Sequence, residues 1–241
     1  MKRVVKGDPP ESFQAWKAKA NEEWQPDYKD LRNPEKRELH QQLLREQGWV
    51  CCYCGQRIDI DAGDVPRGMG AAHAGSSQSV GSHIEHFRPQ EKYPDLSLDY
   101  GNLFVSCLRQ LNRAEPVHCG HAKGNDFDGE LAISPSEVDE QRFTYTLSGK
   151  VLPDREHGPA DYMCKLLRLN EASLKGRRET VLSQVFDEVF LSYLSDEGVD
   201  AEQVTNDLRR LADGFRQPDD EGRLPSFGHV IARFAEQQTG R

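Results

Sequence analysis

The sequence predicts an α+β protein, mostly helical, with a small cysteine-bearing core flanked by N- and C-terminal helices. Three observations point there. Apolar residues recur every three or four positions in both flanking regions, which is the helical period. The middle of the chain instead carries short alternating runs and turn signals. Three of the six cysteines fall within the stretch "CCYC" at 51–54.

Taken in order, "PESFQAWKAKANEEW" (10–24) predicts a short helix, and "NPEKRELHQQLLREQG" (33–48) a second. In the second, Asn33 can cap, Pro34 suits the first helical position and Gly48 suits the exit. Leu39, Leu43 and Leu44 form its apolar face. The run 61–82 is rich in Gly, Ala and Ser, has almost no large apolar side chain, and predicts a mobile loop. "SHIEHF" then begins a short strand, and "RFTYTLSGKVLP" (142–153) alternates around Ser148-Gly149 as a β-hairpin does. Beyond about residue 160 the chain turns helical. Leu174, Val181, Leu182, Val185, Phe186, Val189, Phe190 and Tyr193 predict one long amphipathic helix over 174–194, and further helices fit 200–215 and 226–237. The expected organisation is an N-terminal helical segment (1–48), a core (49–160) and a C-terminal helical region (161–241).

A mean hydropathy of −0.77 and the lack of a long apolar run exclude a helical membrane span. The start, "MKRVVKGDPPESF", has no apolar leader stretch, so a cytoplasmic location is expected. There thiols stay reduced, and clustered cysteines read as metal ligands more readily than as disulfides. With 31 Lys+Arg against 40 Asp+Glu, the net charge is −9. That balance argues against strong autonomous binding to nucleic acid. It leaves room for an enzyme that receives such a substrate from a partner, because the local field at the site decides.

Cys51 and Cys54 have the CxxC spacing that lets two thiolates of one tight turn reach one ion. Cys107 and Cys119 supply a second pair, which predicts a tetrahedral zinc knuckle with 108–118 looping out between them. Cys52 is the spare thiol, and His118 is an alternative ligand to Cys119. Two other readings remain open: a redox-active CxxC, and buried free cysteines, which suits Cys164 on an apolar helical face. Within "HIEH", strand alternation puts His83 and Glu85 on one face and Ile84 and His86 on the other.

CxxC, then "IEHFRP", then Asn-Leu in "GNLFVSC", then "CGHAK" together resemble an HNH endonuclease. The start of the chain, "HIEHFRPQEKYPDLSLDYGNLFVSC" and "CGHAKGN" resemble more specifically the PtuB-like HNH proteins, over roughly residues 1–195. Those proteins accompany an ATPase in Septu-type and some retron anti-phage systems. The resemblance implies a ββα-metal core, a two-stranded ribbon and a helix around one divalent cation. It implies that His86 is the general base, that Glu85 helps hold a catalytic Mg²⁺ or Mn²⁺, and that Asn102 braces the ribbon loop. It implies that Cys51, Cys54, Cys107 and Cys119 hold a structural Zn²⁺, and that Lys123 contacts phosphate. The family pattern places His or Asn directly after the last cysteine, where this chain has Gly120. His121 or Asn125, expected one turn further on the same helix, would then complete the cation site. His83 has no counterpart and is expected to contact substrate or the neighbouring shell. The implied partners are a PtuA-like ATPase subunit and, in the retron setting, a reverse transcriptase with its nucleic acid.

The side chains suit that chemistry on their own terms. A neutral imidazole can take a proton from water near pH 7. Carboxylate, imidazole and amide oxygen suit a hard cation that bridges phosphate and leaving oxygen. From Glu85 to Asn125 five basic residues, among them Arg88, are offset by five acidic ones, so the core is not a basic patch. "CKLLRLNEASLKGRRE" (164–179) is locally positive, and Lys165, Arg168, Lys175, Arg177 and Arg178 are candidate phosphate contacts beside the plainer possibility of a solvated helix face. The functions weighed are a DNA-cleaving effector of a defence complex, an RNA-cleaving (tRNA) effector, a zinc-stabilised binding module without catalysis, and a CxxC redox protein.

Overall fold

A computed structural model describes residues 1–62, 79–108, 116–196 and 198–239. The two N-terminal helices form where apolar spacing and breakers agree. α1 (Glu11–Lys17) buries Phe13 and Trp16 and stops short of the predicted 24. The cause is Asn21, whose side-chain oxygen accepts from Glu23 N and Trp24 N, each at 2.9 Å, and turns the chain. α2 (Glu35–Gln47) buries Leu39, Leu43 and Leu44 and leaves through Gly48 in the left-handed region, φ 64°. Its N-cap position is Pro34, with no side-chain cap bond, so Asn33 does not cap it.

A three-stranded sheet follows, in the order β1 (Ile58–Asp59), β2 (Val80–His86), β3 (Leu103–Cys107). β1 runs parallel to the start of β2 through Ile58↔Val80, and β2 pairs antiparallel with β3 from Ser82↔Cys107 to His86↔Leu103. The strand thus begins at Val80, inside the stretch predicted as loop. Ser82 is the reason: its buried hydroxyl donates to Asp59 O at 3.0 Å and meets His40 Nε2 at 3.1 Å, tying the strand to α2. The rest of that predicted loop, 63–78, lies outside the described residues, as do 109–115 of the loop expected between Cys107 and Cys119.

α3 (Gly120–Lys123) is a single turn after β3. The predicted hairpin is present as β4 (Phe143–Tyr145) and β5 (Val151–Pro153). Its turn needs glycine at 149: φ is 72°, and a Cβ there would lie 2.1 Å from Lys175 O. α4 (Pro159–Leu166), α5 (Ala172–Val185), α6 (Glu188–Leu194), α7 (Ala201–Arg216) and α8 (Gly228–Gln238) complete the chain. The single helix predicted over 174–194 is two. Phe186 leaves the helical region (ψ 63°), and the Asp187 carboxylate caps a new start by accepting from Phe190 N at 2.8 Å.

Buried side chains from all three sequence segments join one core. α8 packs on the cysteine turn: Phe227 N donates to Gly55 O at 2.7 Å, and the buried His229 ring fills the space beside Gly55, where a Cβ would lie 2.2 Å from it. Among the described residues no helix is long and apolar enough to cross a membrane.

Candidate metal centre and the His-Glu-His strand

The sulfurs of Cys51, Cys54, Cys107 and Cys119 converge. All four side chains are buried and their ligand atoms lie within 4.8 Å of one another. The set could hold a metal ion such as zinc. Cys51 and Cys54 come from one tight turn in which Gly55 N donates to Cys51 O at 2.9 Å. Cys107 ends β3, and Cys119 sits in the left-handed region at φ 56°, which swings its thiol back towards them. Burial opposes ionisation of Cys51, but donors on Cys107, Cys119, Cys52 and Cys54 outweigh it and hold that thiol well below its usual range. Burial and the bond to Cys107 push Cys119 up. Bound to one cation, four sulfurs packed this closely could share its charge as thiolates, and a closed four-sulfur set fits Zn²⁺. His118 borders the cluster, with Nδ1 3.2 Å from Cys119 Sγ and 3.6 Å from Cys107 Sγ. Cys52 is not one of the four converging ligands, is buried in the core, and its backbone N donates to Val105 O at 3.1 Å.

One face of β2 carries Glu85, which is 7% exposed. Its Oε1 accepts from Tyr53 OH at 3.0 Å and from the Lys123 ammonium at 3.1 Å. Its Oε2 faces His83 Nε2 at 3.6 Å. Burial pushes the carboxyl up, but His83 and Lys123 outweigh it and the net shift is downward. His83 Nδ1 lies 2.6 Å from Leu108 O, and His121 Nε2 lies 2.8 Å from the same carbonyl. The two rings lie 4.3 Å apart.

His86 lies on the other face, 7% exposed, with its ring edge against Tyr28 at 4.4 Å. Its Nε2 is 2.9 Å from Ser97 O. A carbonyl only accepts, so Nε2 carries the hydrogen and Nδ1 keeps a lone pair. Gln90 Nε2 donates to that lone pair at 3.2 Å. Burial lowers the His86 pKa, which favours the neutral ring. Asn102 fixes the loop that follows: its Oδ1 accepts from Arg88 N at 2.7 Å, and its Nδ2 donates to Arg88 O and Leu96 O at 3.1 Å each.

Other expected site residues stand elsewhere. Lys123 is 2% exposed, donates to His86 O at 3.0 Å and is the internal counter-ion of Glu85 rather than a phosphate contact. Asn125 is not on a helix, because α3 ends at Lys123 and Gly124 follows; it is exposed and donates to Glu91. Arg178 is 2% exposed and spends its guanidinium on Gly149 O at 2.7 Å and Leu169 O at 2.6 Å, so it is not a phosphate contact. Arg177 donates to Gln56 Oε1 at 2.5 Å. Lys165 pairs with Asp161 at 2.8 Å, Arg168 is exposed at φ 49°, and Lys175 is half-buried. Arg88 is exposed above the Tyr93 ring.

Sequence reasoning missed a groove of about 500 Å³ between α2 and the edge of β2 beyond its pairing with β1. Tyr28, Lys36, Arg37, His40, Ser82 and His83 line it. Lys36 stands over the Tyr28 ring at 5.0 Å and, among the described residues, forms no ion pair with a carboxylate. Only the pattern Tyr28…Lys36 on opposite sides of a breaker hinted at it, and that signal is too common to select.

No family model and no curated protein matches the sequence.

Proposed function

We propose that the protein is a metal-dependent endonuclease of the HNH type, cutting nucleic-acid phosphodiesters, with DNA the favoured substrate. The observation that carries this reading is an imidazole held by a backbone carbonyl as the Nε2–H tautomer, next in sequence to a buried carboxylate, on a ribbon ending at the four-cysteine cluster. His86 Nδ1 takes the proton of the attacking water once that water displaces the Gln90 amide. A lowered pKa keeps the ring neutral at pH 7. Asn102 keeps Ser97 and Gln90 in place by holding the loop at Arg88 and Leu96. Glu85 and His86 leave β2 on opposite sides, so the phosphodiester approaches along the strand's open edge, guided by the Lys36 charge in the groove. A bound Mg²⁺ or Mn²⁺ would stabilise charge on the phosphate and the leaving 3′ oxygen. Glu85 suits such a cation because Tyr53 and Lys123 occupy only one of its oxygens. The four cysteines hold zinc and brace the ribbon.

The net charge of −9 supports reliance on a partner for substrate capture. An ATPase subunit of the PtuA type, with a retron reverse transcriptase in that setting, is the partner the resemblance suggests. α6 suits docking, since it buries none of its residues and leaves Val189 78% exposed.

A second reading, a zinc-stabilised binding module without catalysis, is favoured by one feature: both ring nitrogens of the buried His86 are already bonded. Cleavage of DNA and RNA with Mg²⁺ or Mn²⁺, with and without the ATPase, separates the two. His86→Ala should lower the rate about 10²–10⁴-fold, the usual contribution of a general base, with zinc content unchanged. Parental cleavage by His86→Ala removes His86 as the base. An absence of cleavage in every mixture leaves the binding module.

A further inference from the structure

We propose that His83 supplies the imidazole ligand of the divalent-cation site, in place of the side chain that Gly120 lacks. The inference rests on the endonuclease reading and assigns a residue that the family pattern does not.

Three observations converge on one point in space. Glu85 divides its work: Oε1 takes both donors, Tyr53 and Lys123, while Oε2 turns towards His83. The His83 ring is oriented by Leu108 O, which at 2.6 Å from Nδ1 can only accept. A hydrogen therefore sits on Nδ1, and Nε2 is the ring nitrogen turned to the side where Glu85 Oε2 lies. A backbone carbonyl behind the far nitrogen is the usual way a ligating histidine is held. Finally, a Cβ built on Gly120 would lie 2.6 Å from Glu85 Oε2 and 2.9 Å from His83 Nε2. The two donor atoms fill the room that any side chain at 120 would need.

The spacing suits a small hard cation. Two ligands each about 2.1 Å from a shared Mg²⁺ stand at most about 4.2 Å apart, and Oε2 and Nε2 are separated by 3.6 Å. His121 does not complete the site. Its Nε2 is directed at Leu108 O, and among the described residues only the four cysteines form a set of three or more ligand atoms within 4.8 Å. The ligand has moved from α3 to β2, two residues before the carboxylate and on its face.

The test is direct Mn²⁺ binding to the zinc-loaded full chain, by titration and by pulsed EPR of the bound ion. His83→Asn should weaken Mn²⁺ about tenfold or more and remove the histidine nitrogen coupling, with zinc content and melting temperature retained. Gly120→Ala should weaken Mn²⁺ similarly from the opposite element, which guards against a folding defect in the first variant. His121→Ala should bind as the parent does. Parental affinity and nitrogen coupling in His83→Asn, or their loss in His121→Ala, overturns the assignment while leaving the endonuclease reading intact. A parent chain that binds no Mn²⁺ yet cleaves DNA without divalent metal overturns the cation site itself. A parent that neither binds Mn²⁺ nor cleaves overturns both.

Discussion

Replacing Arg178 by Met separates a structural cation from a substrate contact. The side chain is 2% exposed and forms no ion pair with a carboxylate among the described residues. Its Nε donates to Gly149 O at 2.7 Å and its Nη2 to Leu169 O at 2.6 Å, so it ties the hairpin turn and the end of α4 to α5. Hydrogen bonds involving a charged group contribute about 1.5–3 kcal/mol each, so the two together are worth roughly 3–6 kcal/mol. Met keeps the volume and relieves the cost of burying an ion, which several kcal/mol of desolvation makes substantial. The net expected loss is about 2–4 kcal/mol. Arg178 also borders the same small cavity as Cys54. Four thiolates around a Zn²⁺ leave a net charge of about −2 by simple counting, and Arg178 is its nearby compensating cation. Zinc affinity should therefore fall along with stability. Urea unfolding, zinc content after chelator challenge and DNA binding are measured on the same preparation. Stability within about 0.5 kcal/mol of the parent, full zinc and a tenfold drop in DNA affinity would refute this account and return Arg178 to the substrate surface.

Cys107→Ser should lose its bound zinc and its cooperative thermal transition, since structural zinc supplies on the order of 10–16 kcal/mol to small sites; Cys52→Ser should keep both, and elemental analysis with calorimetry checks the pair. A Cys107→Ser protein with one zinc per chain and the parental melting temperature would dissolve the four-sulfur site. His229 gives a pH dependence. Burial, with help from the N-terminal ammonium and then Lys2, Arg178 and Arg216, holds its pKa well below the ordinary 6.5, and Tyr145 OH is its neighbour at 3.4 Å. Below pH 6.5 the unfolded chain takes up a proton that the folded chain refuses, so stability present at neutral pH is lost as pH falls, by about 1.4 kcal/mol per pH unit from this group. His229→Gln should flatten that part of the slope; equal urea-midpoint slopes in parent and variant between pH 6.5 and 5 would contradict it.

What the sequence disclosed follows the range of the interactions concerned. α2, α7 and α8 were legible because apolar spacing and a local breaker such as Gly48 act within a few residues. The four cysteines were legible because few chemistries explain two buried thiol pairs in one reduced chain. The break at Phe186 was not. The apolar stripe keeps its period on both sides, and the signal that matters is the lone Asp187 cap, which strand and helix periodicity ignore. Arg178 shows the same limit for charge: a cation in a basic run reads as exposed until a carbonyl from a hairpin 29 residues away is brought against it. Gly120 is the sharpest case. In one dimension it is a missing ligand, a defect in a pattern. In three dimensions the missing side chain is the condition that lets Glu85 Oε2 and His83 Nε2 approach, and the residue that uses the space lies 37 positions earlier in the chain, on a strand. A deviation from a linear motif is therefore weak evidence of lost chemistry whenever a compensating donor can arrive from another element, because the cation responds to donor geometry and is indifferent to chain order.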